Sequence, residues 1–299
     1  MSPKKLKLAA LFKVPKTFSR LIGWSPTRLA DYEQCPLMAA LKHGEKLCSC
    51  CFREKAFAAW EKPLRAPDGK LVPPQTSYCV TKGELLETPK PLANGIKLGG
   101  SLERFIIGIV DALDAGITHP TVLKIAQKLR AQWKEGSRKT IVEVEKPLVF
   151  NHLWEPISPF TKGAWLRTKL DVLRIDVKSQ VAEDIDWKSG GIDKRTGEIK
   201  SGAKYDDQLS IYSTALLSHD EKLKKVESSL VFIEAPHKID PVVAVEESDL
   251  NRAQLPGAQK RWSLRVVAFH NDETFAPRPG WYCSYCNYSK EKGGPCPVK

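Results

Sequence analysis

Two hydrophobic periodicities along this chain predict a mixed α/β protein. Apolar positions recur at helical spacing in the first half, and from Ile141 the two-residue alternation of strands takes over. A first helix is predicted where Ser25 can cap the N-terminus and Pro26 fits the first turn, and Pro36 ends it. The same patterns predict helices at 101–113, 121–133, 206–217 and 248–269, and strands at 141–150, 165–176, 181–190 and 228–236.

These patterns divide the chain into four segments. We expect a basic N-terminal arm over 1–24, a mostly helical region over 25–140, an α/β core over 141–270, and a turn-rich, aromatic, cysteine-bearing segment over 271–299. A stretch rich in proline and glycine, from 63 to 74, is predicted to be a long loop.

Composition narrows the class of protein. With 299 residues, 42% of them hydrophobic, the chain can bury a large core, which excludes general disorder. No run of about 18 apolar residues is present, so no membrane span is expected. The net charge of +12 favours a polyanionic partner, and DNA, RNA and an anionic membrane surface all fit that charge.

The cysteines and the first thirty residues bear on the compartment. No acidic residue precedes Asp31, a feature of organelle import signals, but the segment is rich in lysine rather than arginine and serine, which favours a basic arm. No secretory signal pattern is present, so we expect a reducing cytoplasm, where clustered cysteines are metal ligands more often than disulfides.

The most informative stretch of the chain holds two acids and a lysine. A hairpin with its loop at Lys178-Ser179 would place Asp171 opposite Asp186, on one face of the sheet. Strand alternation puts Lys188 on that face as well. Two carboxylates this close repel each other unless a cation lies between them, and oxygen ligands suit Mg²⁺ or Mn²⁺. The set therefore predicts metal-assisted hydrolysis, with a solvated surface hairpin as the alternative.

Two residues of the next helix strengthen the hydrolytic interpretation. Gln208 and Tyr212 are four positions apart, so they share a helix face just after the candidate site. Their alternative roles are a surface glutamine and a core tyrosine.

These residues, in this order, resemble the PD-(D/E)XK nuclease superfamily, and more narrowly its RecB-type branch. That branch includes AddB-like nucleases, CRISPR-adaptation nucleases and phage exonucleases. The resemblance lies in Asp171, the run Ile185-Asp186-Trp187-Lys188, and Gln208 with Tyr212. It extends to Ser25-Pro26-Thr27 with Cys35-Pro36 upstream, and to Cys283, Cys286 and Cys296-Pro297 downstream.

The resemblance implies a small mixed central sheet flanked by helices, a restriction-endonuclease-like core that occupies 141–270. It makes Asp171 and Asp186 metal ligands, adds the Trp187 carbonyl as a further candidate ligand, and makes Lys188 the catalytic lysine. Gln208 and Tyr212 become the helix motif that supports the site. The family's usual histidine ligand has no counterpart here, and Glu87 or Glu103 is the candidate to replace it.

The resemblance also implies a [4Fe–4S] cluster that closes the N- and C-terminal parts of the chain. Its ligands would be Cys35, Cys283, Cys286 and Cys296, and zinc is the alternative occupant because both use the C-x₂-C spacing. The remaining cysteines lack that spacing and are expected to be free or buried thiols rather than a second metal site; they are Cys48, Cys50, Cys51 and Cys79.

The predicted function is a divalent-metal-dependent DNA nuclease, with exonuclease action on DNA ends during recombination, repair or genome processing. Its predicted partners are single-stranded DNA or duplex ends, together with recombination or replication proteins, in the cytoplasm of a bacterial or phage-infected cell. The alternatives are a catalytically silent iron–sulfur DNA-binding protein and a zinc-stabilised nucleic-acid-binding module. Candidate base-stacking rings, with burial in the core as their alternative, are Trp60, Trp154, Trp165, Trp187 and Tyr282.

Overall fold

A computed structural model describes most of the chain. The described residues are 23–44, 90–117, 119–135, 139–159, 161, 164–193, 195–200, 202–234 and 242–298, together with five short strands between 56 and 85. The chain divides into two compact units: Met1–Thr88 with Leu264–Lys299 form one, and Pro89–Ser263 form the other. Among the described residues, no helix combines the length and apolar character needed to cross a bilayer.

The first unit opens with the helix that the sequence predicts. Helix α1 (Pro26–Gln34) is capped by Ser25, whose Oγ accepts a hydrogen bond from the backbone N–H of Arg28 at 3.3 Å. Pro36 begins a second short helix, α2 (Pro36–Ala39), which continues as a π-turn over Ala40–Gly44. Tyr32 of α1 is buried, and its hydroxyl donates to the Ala268 carbonyl at 3.0 Å. The N- and C-terminal parts of the chain therefore pack together inside this unit.

Five short strands follow in the same unit. They are β1 (Ala56–Phe57), β2 (Leu64–Arg65), β3 (Leu71–Val72), β4 (Ser77–Cys79) and β5 (Glu84–Leu85). β1, β4 and β5 form one antiparallel sheet, and β2 pairs with β3 in another. The stretch predicted as a loop over 63–74 thus contains a small β2–β3 hairpin.

The second unit is built on a five-stranded sheet. Its elements are α3 (Lys90–Ile106), α4 (Pro120–Glu135), β6 (Thr140–Phe150), β7 (Leu166–Asp176), β8 (Val181–Ser189), α5 (Gly202–His219), β9 (Lys225–Glu234) and β10 (Val242–Asn251). The strand order is β10-β9-β8-β7-β6. β8 and β9 are parallel and joined through α5, while the other neighbours are antiparallel. Helix α6 (Leu255–Asn271) follows and runs from this unit into the first.

Helices pack on both faces of this sheet, and each face forms its own hydrophobic cluster with them. Ile185 and Trp187 of β8 pack in a core with Leu102 and Phe105 of α3. On the other face, Leu230 and Phe232 of β9 pack with Leu209 of α5 and with Ile192. Because side chains alternate along a strand, the even-numbered residues of β8 point towards the α5 face. That face carries the candidate catalytic residues.

The secondary structure departs from the sequence expectation in two further places. The helix predicted over 101–113 starts earlier, at Lys90, and ends at Ile106, where turns begin. The helix predicted over 248–269 is preceded by strand β10, which extends to Asn251, and begins only at Leu255. The apolar run Val242–Val245 is short, shows no two-residue alternation and leads directly into acidic residues, so the sequence pattern did not predict a strand there.

Candidate active site and cysteine cavity

The sheet opens at Asp171, between β7 and β8. The two strands pair from Asp176↔Val181 as far as Val172↔Ile185, which confirms the predicted register although the connection is four residues long. Beyond that point the Asp171 carboxylate, rather than a backbone carbonyl, accepts the N–H of Trp187, with 3.0 Å between N and Oδ2. The opening brings the carboxylate of Asp171 next to the backbone of the strand that carries Asp186 and Lys188.

Asp186 is the centre of a small polar network on the α5 face. Its buried carboxylate forms an ion pair with the Lys188 ammonium group. The amide of Gln208 donates to its Oδ1 at 2.9 Å and to the Tyr212 hydroxyl at 2.7 Å. Gln208 and Tyr212 are one turn apart on α5, as predicted, so a single helix face supports the carboxylate. The structure therefore brings together five of the sequence-predicted residues, with Asp171 as the fifth.

Burial raises the pKa of both acids, and the charge of one adds to the rise of the other. Burial, followed by the charge of Asp186, raises the pKa of Asp171 to about 6. Burial also raises the pKa of Asp186, and hydrogen bonds from Lys188 and Tyr212 offset part of that shift. A divalent cation between the carboxylates would remove this repulsion. The two carboxylates are therefore chemically suited to hold one.

Glu145 is a further acid beside the site, and sequence reasoning missed it. It lies on β6 across from Asp171, where the β6–β7 pairing skips from Val144↔Val172 to Lys146↔Leu170. Its φ of +54° is a left-handed conformation that a residue with a side chain rarely adopts. Its carboxylate pairs with Lys169, and its charge adds to the pKa rise of Asp171. No sequence signal marks this conformation, since the apolar–polar alternation from Val142 to Glu145 passes through it unchanged.

The two candidates for the missing histidine are placed differently. Glu103 lies on α3, which packs on the opposite face of the sheet from Asp186. Burial and then the charge of Glu145 raise its pKa. Among the described residues, no group of three or more His, Cys, Asp or Glu side chains is arranged to hold a metal ion, so Glu103 does not complete such a group. Glu87 lies outside the described residues.

Asp184 is a second acid that sequence reasoning passed over. It is fully buried two residues before Asp186, and alternation places the two on the same face. Burial and then the charges of Asp186 and Asp171 raise its pKa well above the ordinary range, which favours the neutral acid. Ser228 lies opposite it in the parallel β8–β9 register, and the hydroxyls of Ser228 and Ser213 are 2.8 Å apart. The alternation Asp184, Asp186, Lys188 was the available signal.

Most of the candidate stacking rings belong to the core instead. Trp154, Trp165 and Trp187 are all buried. The indole N–H of Trp154 donates to Ser263 Oγ at 3.0 Å. Trp60 lies outside the described residues, and Tyr282 is anchored through its hydroxyl to the Gln34 carbonyl at 2.6 Å. The hydrophobic alternative holds for the three buried tryptophans because a large ring stabilises a core most when water is excluded from it.

The four cysteines predicted as cluster ligands line one cavity of the first unit; they are Cys35, Cys283, Cys286 and Cys296. Like the acids above, these described residues are not arranged as a metal-binding group in this structure. Two backbone N–H groups point at their sulfurs: that of Arg278 donates to Cys35 Sγ at 3.5 Å, and that of Gly280 to Cys283 Sγ at 3.4 Å. Burial raises the pKa of Cys286, and the neighbouring thiols add to that shift. Cys79 is buried in β4, whereas Cys48, Cys50 and Cys51 lie outside the described residues.

Comparisons with known proteins define the family. Residues 98–290 match the PD-(D/E)XK nuclease superfamily, and because this match covers more than half of the chain, the protein belongs to that superfamily. No curated protein matches the chain significantly. A crystal structure titled as a "putative exonuclease" from Eubacterium rectale aligns with 96% of this chain and 91% of its own, at 11% identity and a TM-score of 0.38. The assignment does not rest on that weak likeness. Members of the superfamily are phosphodiesterase-type nucleases that use divalent metals such as Mg²⁺ or Mn²⁺.

Proposed function

We propose that this protein is a divalent-metal-dependent DNA nuclease that degrades DNA from its ends, with Asp171, Asp186 and Lys188 as its reactive centre. The observation that carries the proposal is the network around Asp186, which joins the lysine of β8 to Gln208 and Tyr212 of α5. A solvated surface hairpin would not bury these carboxylates or tie them to a helix. The family match supports the same assignment.

The residues have separable roles in phosphodiester hydrolysis. Asp171 and Asp186 would hold the metal, with the Trp187 carbonyl and Glu87 as further candidate ligands. When bound, a divalent cation supplies charge neutralisation at the scissile phosphate and lowers the pKa of water. Lys188 is partly exposed beside Asp186, so its ammonium group can stabilise negative charge on the phosphate oxygens. Attack by water forms a new P–O bond, the bond to the leaving oxygen breaks, and that oxygen takes up a proton.

Gln208 and Tyr212 act as positioning residues. The Gln208 amide fixes one oxygen of Asp186, while Lys188 contacts the other, so the carboxylate is held in one orientation. Tyr212 is buried, and burial raises its pKa well above the ordinary range, which keeps the hydroxyl neutral as a hydrogen-bond partner. Such support of a metal-ligating carboxylate is worth about 10- to 100-fold in metal affinity or activity.

We further propose that the cysteine cavity holds a [4Fe–4S] cluster. Four cysteines line the cavity, and backbone N–H groups donate hydrogen bonds to two of the sulfurs, as is common around protein-bound clusters. The cluster would be structural, since Cys35 comes from the N-terminal part of the first unit and the other three ligands come from its C-terminal part. Zinc at the same cysteines is the competing occupant.

Digestion of labelled DNA by the full-length protein tests the function. The substrates are linear and circular DNA, each single- and double-stranded, incubated with Mg²⁺, Mn²⁺ or EDTA. We expect metal-dependent shortening of the linear forms, resistance of the circles, and no cleavage in EDTA. Cleavage of circles would overturn the exonuclease part of the proposal. Tight DNA binding without cleavage in either metal would overturn the nuclease assignment and favour a silent DNA-binding protein.

A further inference from the structure

Two large aromatic rings are displayed to solvent beside the cysteine cavity. Trp281 is 83% exposed and Tyr285 is 76% exposed, on a short 3₁₀ helix that spans Trp281–Tyr285. Among the other described tryptophans, five are buried, namely Trp24, Trp154, Trp165, Trp187 and Trp262. An exposed tryptophan contributes none of the hydrophobic stabilisation that a buried one does. Exposed aromatic surface of this kind often marks an interaction site.

The backbone beneath these rings is held in place. Tyr282, between them in the sequence, is tied through its hydroxyl to the carbonyls of Gln34 and Arg278, at 2.6 and 2.7 Å. The Cys286 N–H bonds to the Cys283 carbonyl at 3.1 Å, and the Ser284 hydroxyl bonds to the Trp281 carbonyl at 2.9 Å. The exposed rings are therefore carried on a fixed turn, so a partner that binds them has little backbone to order.

The two rings are arranged edge to face and leave ring faces open. Their centroids are 6.4 Å apart with an angle of 70° between the planes. From 278 to 298 the exposed charged side chains are mainly basic, with Arg278, Lys290 and Lys292 against Glu291, while a second exposed acid, Glu273, lies just before this stretch. Exposed aromatic rings and basic side chains are the two features with which proteins hold unpaired nucleic-acid strands. Every base can stack on a ring, and every phosphate is an anion.

We propose that Trp281 and Tyr285 form a stacking platform for the bases of single-stranded DNA. The proposal rests on the proposed function in one respect, namely that DNA is the partner, and it adds a preference for unpaired strands. A paired base within a duplex has both faces covered by its neighbours, so the platform would distinguish frayed or single-stranded ends from duplex. The platform is separate in sequence from the acids and the lysine of the candidate active site.

Binding measured without cleavage tests the platform. The full-length protein is titrated in EDTA against a fluorescein-labelled 20-nucleotide single strand and a blunt duplex of the same length. Replacement of each ring by alanine should weaken single-strand binding about tenfold, because stacking on one aromatic side chain is worth about a factor of ten. Trp281→Phe, which keeps a stacking ring, should retain most of the affinity, and duplex binding should change little.

The matched control is Trp133→Ala, since Trp133 is a partly exposed tryptophan, 39% accessible, on α4 of the other unit. It should leave single-strand binding unchanged. Unaltered single-strand affinity in Trp281→Ala and Tyr285→Ala would overturn the platform, as would an equal loss on single strand and duplex. A wild-type protein that binds single strands through these rings but cleaves no DNA would overturn only the nuclease assignment, so the two proposals fail separately.

Discussion

The backbone N–H of Trp187 donates a hydrogen bond to the Asp171 carboxylate, where the pairing of β7 with β8 has ended. A carboxylate thus takes the place that a backbone carbonyl would occupy in a continued ladder. The consequence is that Asp171 is fixed beside the strand segment that carries Asp186 and Lys188. In the absence of a metal, this geometry holds two acids together at the expense of stability.

Asp171 should make the metal-free protein less stable as pH rises. Its pKa is raised to about 6 from an ordinary value of 3.8, so the folded state holds the proton more tightly than the unfolded state. The stability that the folded state gains from binding this proton is present in full below pH 4 and is lost as pH rises through 6. Asp171→Asn keeps an acceptor for the Trp187 N–H and removes the charge. It should therefore raise the free energy of unfolding at pH 7.5 in EDTA by about 1–3 kcal/mol, seen as a higher melting temperature, with little change at pH 4.

The check on this prediction is added Mg²⁺, which should stabilise the wild type at pH 7.5 and leave Asp171→Asn almost unaffected. An asparagine variant that is less stable than wild type at both pH values would show that the Asp171 charge does not destabilise the fold.

Loss of the Gln208 amide should weaken metal use without unfolding the protein. Gln208→Ala removes the donor that orients Asp186, so the Mn²⁺ concentration for half-maximal cleavage should rise about 10- to 100-fold. Tyr212→Phe keeps the buried ring and should shift that concentration in the same direction. Ser210→Ala is the control on α5, because the Ser210 hydroxyl contacts Arg261 and Trp262 instead of the site. An equal effect of all three variants would contradict a specific role for Gln208.

Gly191 should resist substitution for two reasons. Its φ is +91°, and an added Cβ would lie 3.0 Å from the Tyr205 hydroxyl and 3.2 Å from the Phe232 ring. We expect Gly191→Ala to lower the free energy of unfolding by about 2–3 kcal/mol. Gly197→Ala is the matched control, since Gly197 also has a positive φ, of +76°, but has nothing within 4 Å of its added Cβ. It should cost about 1 kcal/mol, and equal losses at both glycines in urea unfolding would rule out the contact argument.

The four cysteines of the cavity should hold about four irons per chain. Protein purified without oxygen should be brown, with broad absorption near about 400 nm. Cys283→Ser should lose iron and become sensitive to proteolysis, because the N- and C-terminal parts of the first unit lose a shared ligand set. Cys79→Ser, at a buried cysteine of β4, should keep both colour and iron. Colourless protein with stoichiometric zinc would contradict the cluster and identify a zinc site, without affecting the nuclease proposal.

The sequence alone predicts much of this site because the relevant information is local. The spacing of Asp186 and Lys188, and of Gln208 and Tyr212, follows from the periods of a strand and a helix. The pairing of β7 with β8 follows from a short connection between adjacent strands.

The features that were missed depend on contacts between distant segments or on single backbone angles. Glu145 lies across from Asp171 with a left-handed φ, and no residue pattern predicts that conformation. The exposure of Trp281 depends on which rings the tertiary fold leaves uncovered. The sequence therefore could not distinguish exposed tryptophans from buried ones as candidates for base stacking. The four cysteines were predicted as one set from the resemblance, and the fold shows that they line one cavity.

The most direct measurement of the central claim is cleavage of an end-labelled linear DNA by wild-type protein, Asp186→Asn and Lys188→Ala, each in Mn²⁺ and in EDTA. DNA binding in EDTA and the melting temperature are recorded for each variant as evidence of folding. We predict that the wild type cleaves only with metal, and that both variants bind DNA yet lose cleavage by at least about 100-fold. Near-wild-type cleavage by either folded variant would contradict a metal-dependent nuclease centred on Asp186 and Lys188.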